Sequence, residues 1–324
     1  MVRKGTLVLL ACLASVGPGL AQTAIDLCGC ARESTLRPFD AGEPRTYPAG
    51  TTGCAAACQS GSIVVPLPSD GILRFSSFTV AGAFTIAFRP NATNTPVTLL
   101  VSGDVVLRAP ACCGTFGMSG STGEMATSRG VGAGGLGGPG AFRGGRGHGP
   151  PLGLGGLTPG GNGEGPGGGF GATTNVEAIG GTFTGTPELQ PLVGGSGGGG
   201  GSGFGFDPPC NGGGGGGGGG ALLIKANGRI TVQNFQVVAD GGPGGEPGDR
   251  NCAQGGAGGS GGAIRLVART FAASGTARLT ARAGEPAYRG GTATAGRIRI
   301  ESLDNTGQTT FTTEPIATRT RAQQ

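Results

Sequence analysis

Tryptophan is absent from this 324-residue chain, histidine occurs once, and charged residues make up only 13%. Each shortage excludes something. A Ser-His-Asp or Cys-His nucleophile would have to use His148. That residue lies in "FRGGRGHGPP" with no fixed partner in view, so an exposed loop histidine is expected there. Disordered chains combine high net charge with low hydrophobicity. Here 36% of residues are hydrophobic and they cluster in short runs, which indicates a folded protein. No G-K-[ST] phosphate loop occurs. The many G-x-G-x-x-G windows carry no information in so glycine-rich a chain, because none sits in a strand-turn-helix unit. No segment after the N-terminal leader shows a helical period or is long enough to span a bilayer.

Glycine is what the chain has in excess, at 76 residues. It does not recur every third residue over a long span, so collagen is excluded. The N-terminus "MVRKGTLVLLACLASVGPGLAQ" has Arg3 and Lys4, an apolar segment and small residues, the pattern of a secretory signal peptide cleaved after Ala21. Lipidation at Cys12, in "LLAC", is the weaker alternative. Export to the periplasm, cell surface or medium is expected. Cleavage takes the formal charge from +5 to about +3, a balance that does not call for a polyanionic partner. Eight cysteines remain: Cys28, Cys30, Cys54, Cys58, Cys112, Cys113, Cys210 and Cys252. An even count in an exported chain suggests disulfides, with about 105 possible pairings. The adjacent Cys112 and Cys113 are not expected to pair with each other, since such a bridge is strained.

Two stretches align without a gap at an offset of 42 residues. "DPPCNGGGGGGGGGALLIKA" (207–226) falls on "DRNCAQGGAGGSGGAIRLVA" (249–268). The alignment runs on, setting Val237 against Leu279 and Asp240 against Arg282. "AGRIRIE" (295–301) is a third, partial copy. "TLLVSGDVVLRA" (98–109) resembles "LLIKANGRITV" with a two-residue deletion. Each copy alternates with period two. Ile264, Leu266 and Ala268 are expected to face in, Arg265, Val267 and Arg269 out; Ile298 and Ile300 in, Arg297 and Arg299 out.

Strands at equivalent positions of successive repeats can pair in parallel, about 4.8 Å apart. The expected fold is therefore all-β: a parallel β-helix-like solenoid with long glycine-rich loops and a disulfide-rich N-terminal cap. In that register Cys210 and Cys252 lie within bridging distance. Two readings of the glycine tracts stay open, a close-packed layer where side chains do not fit or a mobile loop. The chain divides into a signal peptide (1–21), a cysteine-containing cap (22–69), first strand repeats (70–113), a glycine-rich insertion (114–220) holding 47 of the 76 glycines, solenoid repeats (221–301) and a polar tail (302–324).

At "GGSGGAIRLVA" and "AGRIRIE" the chain resembles uncharacterised, exported bacterial glycine-rich repeat proteins, in which glycine runs lead into alternating apolar-basic strands. The resemblance is clearest over the last third. It implies no activity and no catalytic residues, and it does not include the cysteines before residue 60.

Other motifs are weak. "GGPGGEPGD" (241–249) departs from the calcium nonapeptide at Glu246 and Gly248. Asp207 and Asp249 stack in the alignment, but each precedes a cysteine in a turn, where aspartate is a turn former. Asn91 opens an N-x-T sequon, relevant only in a eukaryotic secretory pathway. Arg143 and Arg146 echo arginine-glycine RNA-binding segments, but one copy in an exported chain does not indicate nucleic acid. No catalytic, metal or cofactor site is expected. The function expected is a secreted or cell-surface structural or adhesive protein contacting envelope components, glycans or other surface proteins. The alternatives are a carbohydrate-active β-helix enzyme, acting through paired carboxylates, and a calcium- or glycan-binding module.

Overall fold

The computed structural model describes residues 26–29, 36–41, 43, 46–52, 60–110, 114–149, 158–173, 175–203, 210–304 and 311–322. The leader, Cys12, Asp207 and the cysteines Cys30, Cys54, Cys58, Cys112 and Cys113 lie outside these residues.

Among the described residues the protein is all-β, with no α-helix. The chain lays down its strands in successive passes. After β1 (Phe39–Asp40), the first full pass is β2 (Ser60–Pro66), β3 (Ile72–Phe75) and β4 (Phe78–Ala81). The second is β5 (Ala83–Arg89), β6 (Val97–Val101) and β7 (Val105–Arg108). The third is β8 (Gly114–Gly117), β9 (Ala221–Ala226) and β10 (Arg229–Gln233). Then come β11 (Phe235–Val238) with the long β12 (Ala263–Ser274), β13 (Arg278–Thr280) with β14 (Arg297–Asp304), and β15 (Thr312–Glu314) with β16 (Thr318–Arg321).

Every strand pairs in parallel with its counterpart in the next pass. One ladder runs β2-β5-β8-β11-β13-β15. A second runs β3-β6-β9-β12-β14-β16, and a third β1-β4-β7-β10-β12. Strand β12 belongs to both of the last two: its first half pairs with β9 and its second half with β10. Inward positions fill one continuous core. Early passes fill it with rings, Phe39 stacking on Phe78 at 4.4 Å and Phe116 near Phe88 at 5.0 Å. Later passes use Leu222, Ile224, Ile264, Leu266, Ile298 and Ile300.

The register follows the sequence alignment at β9 and β12, where Ala221 faces Ala263 and Leu222 faces Ile264. It then slips by one residue. Arg229 faces Thr270, a separation of 41, because the corner at Asn227 and Gly228 opposes Arg269 alone. The slip keeps Ile230 and Val232 on the buried side with Phe271 and Ala273. The residue is regained at Gly275–Ala277, where Gly275 takes φ +65°, and Val237 again faces Leu279. The earlier copy needs no deletion. Val97–Val101 face Leu222–Ala226 and Val105–Arg108 face Ile230–Gln233 at one constant separation of 125.

The glycine tracts are a packed layer. Gly213, Gly216 and Gly219 donate their N–H groups to Gln254, Ala257 and Ser260. Gly214, Gly217 and Gly220 donate to Glu124, Ser121 and Met118; Gly212, Gly215 and Gly218 donate to His148, Gly145 and Phe142. Successive residues thus point to three different neighbours and repeat every third residue. That is the period of a polyproline-II helix, which makes no internal hydrogen bonds. The carbonyls of the same tract accept from three further segments: from Gly132, Gly135 and Gly138, from Gly195, Gly198 and Gly201, and from Gly242, Gly245 and Gly248. Segment 211–220 therefore has six hydrogen-bonded neighbours.

Segments 194–203 and 254–262 are surrounded in the same way. These three form the centre of the layer. Around them, each bonded to the next, run 118–126, 130–138, 141–148, 160–165, 167–173, 176–183, 290–296, 281–287 and 239–248. A Cβ added at Gly213–Gly219 would lie closer than 3.0 Å to a neighbour's backbone. Nine consecutive glycines are needed because no face of this segment is free. Ordering glycine is entropically costly, and the layer offsets that cost by giving every N–H from Gly212 to Gly220 an acceptor.

Candidate functional site

The layer leaves the strand body at one corner. Segments 118–126, 239–248 and 281–287 continue from β8, β11 and β13, and segments 211–220, 254–262 and 290–296 lead into β9, β12 and β14. Far from the strands, a disulfide joins Cys210 and Cys252, with 5.6 Å between Cα atoms. It staples the outer ends of two central segments. Cys28 is also disulfide-bonded.

The centre admits few side chains, and those it holds, such as Ser196, Gln254 and Ser260, are buried, so exposed functional groups are confined to the outer rows, where they recur every third residue. Arg143 and Arg146 project from segment 141–148, one turn apart. Segment 160–165 runs alongside, with Glu164 N–H donating to the Arg143 carbonyl and Gly161 N–H to that of Arg146. Glu124, Arg143, Arg146, Asn162 and Glu164 line an open depression of about 560 Å³, floored by Gly134, Gly144 and Gly145. Arg143 and Glu164 also border a second depression of about 270 Å³, lined by Leu136, Phe142 and Pro90. Arg143 Nε donates to the Gly134 carbonyl at 3.3 Å. Among the described residues neither glutamate pairs with either arginine.

A different outer face carries Phe170, Val176 and Ile179, all exposed. At the outer end, Arg250 and Arg289 flank the Tyr288 ring at 5.5 and 5.4 Å. Arg250 also pairs with Glu246 at 3.1 Å. That pair occupies the acidic side chain of the "GGPGGEPGD" turn. Asp249 accepts from Asn251 N–H at 2.8 Å, as a turn aspartate does. Among the described residues no group of three metal-ligating side chains converges. His148 bonds through its backbone within the layer. The Asn91 amide donates to Thr95 and Pro68.

One charged cluster is buried, and its burial departs from the alternation. Arg265 and Val267 point away from the strand core yet are only 8% and 5% exposed. The connection after residue 183 folds back over β9, β12 and β14: Leu189 packs on Ala221 and Ala263. The Gln190 amide, with its oxygen toward the guanidinium, accepts from Arg265. Arg265 Nε and Arg299 Nε both donate to Glu301 Oε1, at 2.7 and 2.9 Å. Burial pushes the Glu301 carboxyl up, but the two arginine hydrogen bonds and charges outweigh it and hold the group below its ordinary value. Half-buried Asp240 and exposed Arg282 meet as the alignment predicts, at 2.9 Å.

No family model, curated protein or solved structure matches this chain.

Proposed function

We propose that the protein is an exported structural or adhesive protein without catalytic activity. Its strand passes are read as a parallel β-solenoid that carries the glycine layer as a rigid display platform. The observation that carries this reading is the six-neighbour packing of segments 194–203, 211–220 and 254–262. A layer so built holds the side chains of its outer rows in fixed positions. Rigid presentation lowers the ordering entropy lost on contact with a partner. The apolar leader and the Cys210–Cys252 disulfide support export to an oxidising compartment.

A second reading rests on Glu124 and Glu164, which border one groove as paired carboxylates would in a carbohydrate-active enzyme. Purified mature protein, incubated with an isolated bacterial envelope fraction and separately with a panel of polysaccharides, distinguishes the two. The structural reading expects saturable retention on envelopes and no release of reducing ends or unsaturated products. Product release abolished by Glu124→Gln or Glu164→Gln would transfer the protein to the enzyme class.

A further inference from the structure

We infer that the two adjoining depressions on the outer face of the glycine layer form one binding groove for a neutral, extended oligosaccharide. The inference rests on the display reading and names the ligand class that the platform presents.

The two depressions adjoin at Arg143 and Glu164, which line both, and are taken together as the trough. One end is apolar, with Leu136, Pro90 and the Phe142 ring. The other is polar, with Glu124, Arg146 and Asn162. An aromatic surface followed by planar amide, carboxylate and guanidinium groups suits a sugar chain. The ring covers the apolar face of one pyranose, and the planar groups take pairs of hydroxyls on the next.

Charge narrows the class. The trough holds two arginines and two glutamates, with no ion pair between them among the described residues. A polyanion would meet Glu124 and Glu164, and a polycation would meet Arg143 and Arg146. A neutral polyhydroxylated ligand meets neither penalty.

The floor adds backbone groups. Gly134, Gly144 and Gly145 lie buried beneath it, their vacant side-chain directions filled by the backbone of Gly144, Gly215 and Gly161, so the main-chain groups open to a ligand are those of the two arginines. Among the described residues the N–H groups of Arg143 and Arg146 find no protein acceptor, whereas those of Phe142, Gly144, Gly145 and Gly147 do. These two outward donors recur one polyproline-II turn apart, about 9 Å. They offer a linear ligand two equivalent contacts along its length.

Isothermal titration calorimetry tests this with cellohexaose, xylohexaose and chitohexaose as neutral probes, and with hexagalacturonate and hexaglucosamine as charged ones. At least one neutral hexasaccharide is expected to bind, and more tightly than either charged probe. Phe142→Ala and Arg146→Ala are each expected to weaken that binding tenfold or more with the melting temperature unchanged; Asn162, whose Oδ1 accepts from Gly171 N–H at 2.9 Å, is left in place. If Phe142→Ala perturbs folding, the exposed Arg146 carries the test. Preferred binding of a charged probe, or neutral binding untouched by the variants, overturns the inference. Failure of every hexasaccharide while the protein still adheres to envelopes overturns the groove and leaves the display reading standing. Loss of both removes both.

Discussion

Cys210 and Cys252 sit one pass apart, with 5.6 Å between their Cα atoms, at the outer ends of two hydrogen-bonded polyproline-II segments. From Cys210 and Cys252 inward, segments 211–220 and 254–262 stay bonded at every third residue until they enter β9 and β12. The disulfide therefore closes the end of the layer that no strand holds.

Replacing both cysteines by serine is expected to destabilise the layer by about 2–4 kcal/mol, the usual effect of a bridge closing a loop of this length. The check is limited proteolysis. Cleavage between residues 203 and 256 should accelerate, while β2–β7 stay resistant.

A side chain at the centre of the layer is a steric error. Gly216→Ala places a methyl group against the backbone carbonyl of Gly242. Overpacking of this kind costs about 1–3 kcal/mol or more, and here the obstacle is backbone that cannot rotate away. Gly130→Ala, where a Cβ meets nothing within 4 Å, is the control and should change little. Urea midpoints of the two variants measure the contrast.

The Arg265–Glu301–Arg299 cluster predicts an acid-sensitive step. The folded carboxyl of Glu301 titrates below its ordinary 4.5. Its contribution to stability is therefore complete above about pH 4.5 and lost as pH falls through the lower folded value. Glu301→Gln should cost about 3–5 kcal/mol at pH 7, because the buried Arg265 and the half-buried Arg299 lose their charged partner. The variant's stability should also fall less steeply than the parent's on acidification. Denaturant titrations from pH 3 to pH 7 report both.

Asp240→Asn removes the charge of a half-buried carboxylate that takes three bonds from Arg282, and should cost about 1 kcal/mol. The difference from the parent should shrink in 1 M salt, where the screening length is about 3 Å.

These residues also mark what the sequence makes legible. The 42-residue offset located the β9–β12 register, the Cys210–Cys252 bridge and the Asp240–Arg282 contact, because each rests on equivalent positions of stacked passes. Alternation placed Ile264, Leu266, Ile298 and Ile300 inside. It also turned Arg265 and Val267 outward correctly but did not foresee their burial, since nothing in a strand pattern announces that a segment more than 70 residues earlier will cover the outer face.

The glycine tracts left a close-packed layer and a mobile loop both open, because the layer's bonds are backbone bonds and most of its central positions are glycine, which shows neither a period of two nor one of 3.6. The layer's one trace is a period of three in the residues that are not glycine. Gln254, Ala257 and Ser260 sit where one row of the central lattice has room, and Arg143 and Arg146 sit where a row faces outward. The depression beside that second row takes its lining from three other segments as well, so no local pattern announces it.

The central claim is that the glycine tracts are a hydrogen-bonded solid and not a linker. Amide hydrogen exchange, read by mass spectrometry over peptides covering Gly212–Gly220, tests it directly. The account predicts protection comparable to that of β12, since every one of those amides donates to a neighbouring segment. Exchange at the rate of an unstructured chain, with β12 still protected, would contradict it.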